Sequence, residues 1–338
     1  MTKIKHILVI RLSSMGDVAM TVPVLSAFSS AYPAVKLTVL TKKQFAPLFR
    51  DLKMVTVFSA DFNHQYKGLF GLYRLSKLLR NTQIEAVADL HNVLRTKILK
   101  RCLLGIKFAQ IDKGRAEKKA LITGKISSPL RTTPQRYADV FRQLGFNFEL
   151  ESPIFPESNP LDAAITKVLG DFSTAIIGIA PFAAYASKTY PISKTDKVVF
   201  ELQKKTKVLL FGGGANETKQ LEAMASKYAN VFCVAGKFSL DQELDIISNL
   251  KVMLSMDSSN GHMAAMLGVN VVTLWGVTHP FAGFAPFCQK ATNNLVSDQQ
   301  MYPKIPTSIY GNNYPKGYEF AMQTISVQDI VKTIQDNL

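Results

Sequence analysis

Short apolar runs bounded by polar turns alternate with stretches of helical periodicity, and the whole alternation occurs twice. In the first half, Ile7–Ile10, Lys36–Leu40, Met54–Ser59 and Ile84–Asp89 have the length and character of strands. Val18–Ser29, Gln44–Phe49 and Gly68–Leu79 lie between them with helical spacing; Leu69, Leu72, Leu75 and Leu79 mark the last. Strands separated by helices are joined by crossovers rather than hairpins, which predicts a mostly parallel sheet covered on both faces. Leu150–Pro160 then carries three prolines in eleven residues and no periodic element, so it reads as a linker. Beyond it the pattern restarts. Strands are expected at Ser173–Ile179, Lys207–Phe211, Val231–Val234, Lys251–Met256 and Asn270–Leu274. Helices are expected at Thr195–Lys204, Glu217–Lys227, Asp241–Asn249 and Gly261–Leu267. A final helix, Ile325–Leu338, has its apolar stripe in Ile325, Val327, Ile330, Val331 and Ile334.

A chain of 338 residues exceeds one ordinary domain. The expected organisation is α/β: two Rossmann-like domains, 1–155 and 156–325, with parallel sheets facing a central cleft. Residues 326–338 form a helix expected to pack back toward the first domain. Cys102, Cys233 and Cys288 are odd in number and lack metal-type spacing, which fits a reducing compartment. In MTKIKHILVI the apolar run is cut at once by Arg11, Ser13, Ser14 and Asp17, unlike a signal peptide. No 18 consecutive apolar residues occur, so a cytoplasmic location is expected.

Forty Lys and Arg against 25 Asp and Glu give a formal net charge of +15. That excess favours an anionic partner: a phosphorylated substrate, a membrane surface or nucleic acid. It is densest from Arg95 to Lys125, where ten cations face only Asp112 and Glu117. This segment reads either as a solvated helix and loop or as a surface for anionic acceptor groups. Nucleic acid is disfavoured, since Trp275 is the only tryptophan and the basic segment has no aromatic platform.

Ligands of open parallel sheets bind beyond the carboxyl ends of the strands, so the loops there are where chemistry is sought. After Ile10 comes Arg11-Leu-Ser-Ser-Met-Gly16-Asp17; Asp17 reads either as an acidic helix start or as a carboxylate able to take a proton. Ala180–Pro191 offers Lys188, a point charge suited to a diphosphate. Phe211–Glu217 places three glycines between strand and helix, with no Walker lysine after them. After Met253–Met256 come Asp257-Ser-Ser-Asn260 and a small-residue helix beginning Gly261-His262, whose N–H groups would face phosphate. Asp257 is read as bracing that turn, because a carboxylate beside phosphate would repel it. His262 reads as a core histidine or as a donor to phosphate or ribose. Thr278 and His279 follow on the next strand's loop.

Together these segments resemble the ADP-heptose:lipopolysaccharide heptosyltransferases, glycosyltransferase family 9, which have the two-Rossmann GT-B fold. ILVIRLSSMGDVAMTVPVL resembles their N-terminal signature, and SKTYP, FSLDQEL, MDSSNGHMAAM and THP resemble later ones. Ser259 stands where the family has glycine, and Ala183 and Ala184 stand where some relatives have hydroxyls. The resemblance implies an inverting transfer of heptose from ADP-heptose to the inner core of lipopolysaccharide. It implies Asp17 as catalytic base and Lys188 at the donor phosphates. Asp241, Asp257, Ser258, Ser259, Gly261, His262 and Thr278 join Lys188 as donor-binding candidates. Ser14, Arg95, Lys97, Arg101 and Lys119 are candidates for the acceptor, a Kdo-bearing lipid A or core oligosaccharide at the inner membrane's cytoplasmic face. No cofactor or metal is expected, since Asp-x-Asp, HExxH and CxxC are all missing from the sequence. The competing expectations are a nucleotide-sugar epimerase of similar fold, a non-catalytic carbohydrate-binding relative and a nucleic-acid-binding protein.

Overall fold

In a computed structural model that describes residues 4–151, 153–172 and 174–338, the chain forms two parallel sheets. The first contains β1 (His6–Ile10), β2 (Lys36–Lys42), β3 (Val55–Ala60), β4 (Ala86–Asp89) and β5 (Lys107–Gln110), in the order β3-β2-β1-β4-β5. The second contains β6 (Ile176–Ala180), β7 (Lys207–Leu210), β8 (Val231–Cys233), β9 (Val252–Met256), β10 (Asn270–Trp275) and β11 (Asn294–Val296). Their order is β11-β10-β9-β6-β7-β8. Every pairing is parallel. Both orders are those of a doubly wound fold, in which strand order reverses beside the first strand of each set. The reversal falls between β1 and β4 in the first sheet and between β6 and β9 in the second.

All four strands at the reversals are buried throughout, which is why they read as unbroken apolar runs. The edge strands β5 and β11 carry Lys, Gln and Asn and were not foreseen. The expected Val18–Ser29 helix is two, Met15–Ala19 and Thr21–Ala31, parted at Met20. Pro23 has no N–H to bond the Ala19 carbonyl, so the ladder restarts, and Thr21 Oγ1 donates to Val18 O (2.6 Å) at the join. Gln44–Phe49 is the core of a 3-10 turn, Lys43–Phe49, containing Pro47. The strand expected at Ser173–Ile179 begins at Ile176; Ser173, like Ser152 in the linker, lies outside the described residues.

The chain divides into two units. One runs to Lys113 and resumes over Thr133–Ile154; the other comprises Gly114–Thr132 and Phe155–Leu338. The basic segment is therefore divided. Helix Leu94–Cys102 belongs to the first unit and helix Arg115–Ile122 to the second. The first unit closes partly with aromatics: Phe28 meets Phe141 at 4.7 Å and Phe146 edge-on at 5.3 Å between centroids. The second unit includes helix Val327–Gln335. Its Ile330 and Ile334 are fully buried in the second unit's core, where the helix packs on Ile192–Leu202.

Candidate functional site

At the reversal point of the first unit, β1 delivers Arg11 and the loop after it delivers Asp17. Arg11 is 7% exposed, and its Nη2 meets Asp17 Oδ2 at 2.6 Å. Its Nη1 donates to Leu90 O, just past the end of β4, at 2.7 Å. One arginine thus ties the two strand ends to the carboxylate. Ser14 donates to the same Oδ2 through its main-chain N (3.2 Å) and Oγ (2.8 Å). Tyr137 donates its hydroxyl to Asp17 O (3.2 Å), and burial pushes that phenol well above its ordinary value. His91 follows β4. Burial, with the Arg11 guanidinium next in weight, brings it down to about 3, so it is a neutral imidazole at any working pH. Its main-chain N is fixed by Asp89 Oδ1 at 3.0 Å.

Helix Leu94–Cys102 leaves this strand end with Arg95, Lys97 and Arg101 exposed, Arg95 lying over the Phe62 ring at 5.4 Å. Lys119 is exposed on helix Arg115–Ile122 of the second unit.

At the reversal point of the second unit, Lys188 and Asp257 meet. Lys188, 9% exposed, donates its ammonium to Asp257 O (2.8 Å) and Oδ2 (3.2 Å). Thr278, fully buried after β10, donates its hydroxyl to the same Oδ2 at 3.0 Å. Asp257 thus braces the turn, as its chemistry suggested, by gathering one cation and one hydroxyl from two other strand ends. Two of the three ammonium protons are engaged by Asp257. The lysine's backbone is held from far along the chain. Ser187 Oγ donates to Gly311 O, and a Cβ on Gly311 would stand 2.7 Å from Lys188 Cγ.

Ser258 is the N-cap of helix Ser259–Met266, in extended conformation. Ser255 organises that turn: its Oγ lies 3.1 Å from Ser258 Oγ and accepts from Gly261 N at 3.1 Å. The Gly261 N–H, expected among the groups facing phosphate, is therefore turned inward. A Cβ there would lie 3.1 Å from Ser255 Oγ and 3.4 Å from Val271, so Gly261 seats the helix on the sheet. Ser259 opens the helix, and His262 is 8% exposed within it. Asp241 is exposed in the first turn of helix Leu240–Ser248. Its neighbour Glu243 was not foreseen; burial raises that carboxyl to about 7. His279 is likewise brought down to about 4 by burial, and its Nδ1 accepts from Phe281 N at 3.2 Å.

Arg11, His91 and the Ser187–Gly311 lock were missing from the expected site. Arg11 had a signal, since an arginine directly after a buried strand needs a partner. Gly311 had none: it reaches Lys188 across 123 residues of chain. Among the described residues there is no group of three or more His, Cys, Asp or Glu able to hold a metal ion, and no helix long and apolar enough to cross a membrane.

Residues 72–311 match the family model of glycosyltransferase family 9 (heptosyltransferase). The chain is similar, at 25% identity over 324 residues, to the lipopolysaccharide core heptosyltransferase OpsX of Haemophilus influenzae. The match covers 91% of this chain and 87% of that one. A solved family 9 glycosyltransferase of Veillonella parvula has the same fold. Its TM-score is 0.75 at 18% identity, over 98% of this chain and 96% of that one. So does the E. coli heptosyltransferase WaaC, solved with ADP-2-deoxy-2-fluoro heptose. Its TM-score is 0.67 at 18% identity, over 98% and 100%. With two Rossmann-like sheets of GT-B type and a family model matched over more than half its length, the chain belongs to glycosyltransferase family 9, the heptosyltransferase family.

Proposed function

We propose that the protein is an inverting heptosyltransferase that moves heptose from ADP-heptose to the inner core of lipopolysaccharide. The observation that carries this reading is the Lys188–Asp257–Thr278 cluster. It presents a nearly buried ammonium at the strand-order reversal of the second unit, where a parallel sheet receives its ligand. A diphosphate would meet Lys188 and the outer N–H groups of helix Ser259–Met266 together, and both favour the negative charge that grows as ADP departs. Ser258, Ser259 and His262 supply the remaining polar groups of that turn, with Gly261 and Thr278 positioning it. Asp241 is assigned to the donor ribose.

Asp17 is the proton acceptor. As the acceptor hydroxyl attacks the anomeric carbon, its proton passes to the Asp17 carboxylate, the new C–O bond forms, and the bond to ADP breaks. Arg11 and Ser14 hold that carboxylate by one oxygen, which fixes its direction. Arg95, Lys97 and Arg101 are assigned to anionic groups of a Kdo-lipid A or core acceptor, and Lys119 to the same charge class from the second unit. A net charge of +15 suits such an acceptor at an anionic inner-membrane surface on the cytoplasmic side. The reaction needs no metal in this reading, because lysine and helix terminus neutralise the leaving group. Family membership favours transfer over the epimerase, carbohydrate-binding and nucleic-acid-binding alternatives.

The test is to incubate the protein with ADP-heptose and defined core acceptors, with and without EDTA, and read product mass and anomeric configuration. One added heptose of inverted configuration, at a rate unchanged by EDTA, is expected. Transfer from a different nucleotide-sugar only would overturn the heptose assignment.

A further inference from the structure

Helix Gly68–Asn81 of the first unit has two contrasting faces. Leu72, Leu75 and Leu79 are buried in that unit's core. On the outer face Leu69 and Tyr73 are exposed and Phe70 is 91% exposed, with Lys67, Arg74, Lys77 and Arg80 exposed around them. A single exposed apolar side chain is ordinary, but three large ones on one helix face form a patch. Helix Leu94–Cys102 packs alongside and runs the same way. Arg80 Nη2 joins the two helix ends by donating to Cys102 O (3.0 Å) and Leu104 O (2.8 Å). The second helix adds Leu94, 74% exposed, in its first turn. Both helices start from the carboxyl end of a strand, β3 and β4, so Leu69, Phe70 and Leu94 lie at the end of the sheet that carries Asp17. Residues 62–84 include four Lys or Arg and residues 90–111 five, all exposed, and neither stretch contains Asp or Glu. Asp61, just before them, is turned onto its own loop, where it accepts from Asn63 N at 2.8 Å and pairs with the His64 ring at 2.9 Å.

We propose that this face docks on an anionic phospholipid bilayer, with Leu69, Phe70 and Tyr73 entering the interfacial layer and the cations meeting headgroup phosphates. A helix that sets bulky apolar side chains among Lys and Arg lies in the plane of such an interface. The two contributions act together. Each cation close to an anionic surface strengthens binding about fivefold, and burying an aromatic ring adds about tenfold or more. A second copy of this chain is the wrong occupant, because it would bring the same uncompensated cations against these. Nucleic acid would meet the cations and stack on Phe70 and Tyr73, but would leave Leu69 and Leu94 without apolar cover. Docking here turns the carboxyl end of the first sheet, with Asp17, toward the lipid. That the docked bilayer carries the acceptor rests on the transferase reading; the docking itself does not.

The experiment measures flotation of the full-length protein with vesicles of phosphatidylcholine alone or mixed with phosphatidylglycerol. The parent is compared with Leu69→Ser/Phe70→Ser and with Lys67→Gln/Lys77→Gln. The mixed vesicles are expected to bind the parent, and the neutral ones to bind it about tenfold more weakly or less. Each double variant should lose about tenfold or more on mixed vesicles. Both should unfold at the parent's temperature, since all four residues are exposed. Phe70→Trp gives a direct reading, because Trp275, the only tryptophan, is 1% exposed. Emission of the added indole should move to the blue on mixed vesicles. No binding to mixed vesicles, binding indifferent to both double variants, or an indole emission unmoved on bound vesicles would overturn the proposal. Single-stranded DNA held more tightly than mixed vesicles, and released by the same substitutions, would overturn it in favour of nucleic acid. A dimer abolished by Leu69→Ser/Phe70→Ser would overturn it in favour of a second copy. Heptose transfer to a soluble core acceptor should be unchanged in that variant, and transfer to a vesicle-borne acceptor reduced. Docking without heptose transfer to any acceptor would refute the transferase reading and leave the docking face standing. Transfer to the soluble acceptor without docking would do the reverse.

Discussion

Lys188→Met separates the observed role of Lys188, pairing with Asp257, from its proposed role at the donor diphosphate. The substitution keeps an unbranched stem of similar length and removes the charge. Lys188 and Asp257 have side chains each 11% exposed, with the ammonium 2.8 Å from the main-chain carbonyl of Asp257 and 3.2 Å from its Oδ2. Breaking a buried pair by removing one partner costs about 3–5 kcal/mol. Here Asp257 keeps the Thr278 hydroxyl and some solvent, so about 2–3 kcal/mol is expected. For a unit of this size that is a fall in Tm of roughly 4–12 °C, at about 2–4 °C per kcal/mol. The catalytic loss is separate: removing a group that stabilises a leaving oxyanion costs about 10²–10³ in kcat. Adding Asp257→Asn removes the stranded charge, so the double variant should regain much of the stability and none of the activity. Thermal unfolding and steady-state transfer on the same three proteins measure both. Recovery of kcat in the double variant would mean that Lys188 serves only to neutralise Asp257, and the assignment of its charge to the donor diphosphate would fail.

Asp17→Asn should lower kcat by about 10²–10⁴ while leaving donor affinity as it was, since Arg11 and Ser14 touch the carboxylate rather than the donor half; an equal loss in ADP binding would argue against a base. Glu243 predicts a pH effect on stability. Its folded-state carboxyl titrates at about 7, above the unfolded value, so the unfolded chain ionises first and stability falls as pH rises from the ordinary carboxylate range to about 7. Glu243→Gln should therefore raise Tm at pH 8 and leave it nearly unmoved at pH 4; the same increment at both would contradict burial as the cause. Gly311→Ala should cost about 1–2 kcal/mol for an L-residue at φ +87° and also raise donor KM by pushing on the Lys188 stem. Gly317→Ala, at φ +90° with nothing within 4 Å of the added Cβ, should show the backbone cost alone.

The strands of both reversals were legible because burial on two faces forces continuous apolar runs, and the loops that follow them could be picked out by position. That is how Asp17, Lys188 and Asp257 could be placed on the loops after these strands. β5 and β11 stayed hidden, since an edge strand needs little apolar surface and reads like a loop. Pro23 was visible in the sequence, yet its effect depended on which carbonyl it left unbonded. Gly261 was expected among the donor-binding residues at the start of a small-residue helix; which atoms its missing Cβ lets that helix approach, Ser255 and Val271, only the packed sheet defines. The division of the basic segment between units was equally illegible, because charge density marks a surface without saying which core lies beneath it. The Ser187–Gly311 lock joins positions too distant for any local pattern to reveal.

The structure of the protein crystallised with ADP tests the central assignment most directly. The account predicts the diphosphate within hydrogen-bonding distance of Lys188 Nζ and over the first turn of helix Ser259–Met266, with Asp257 still bracing the lysine from behind. A diphosphate bound elsewhere, with Lys188 making no contact to it, would contradict the account.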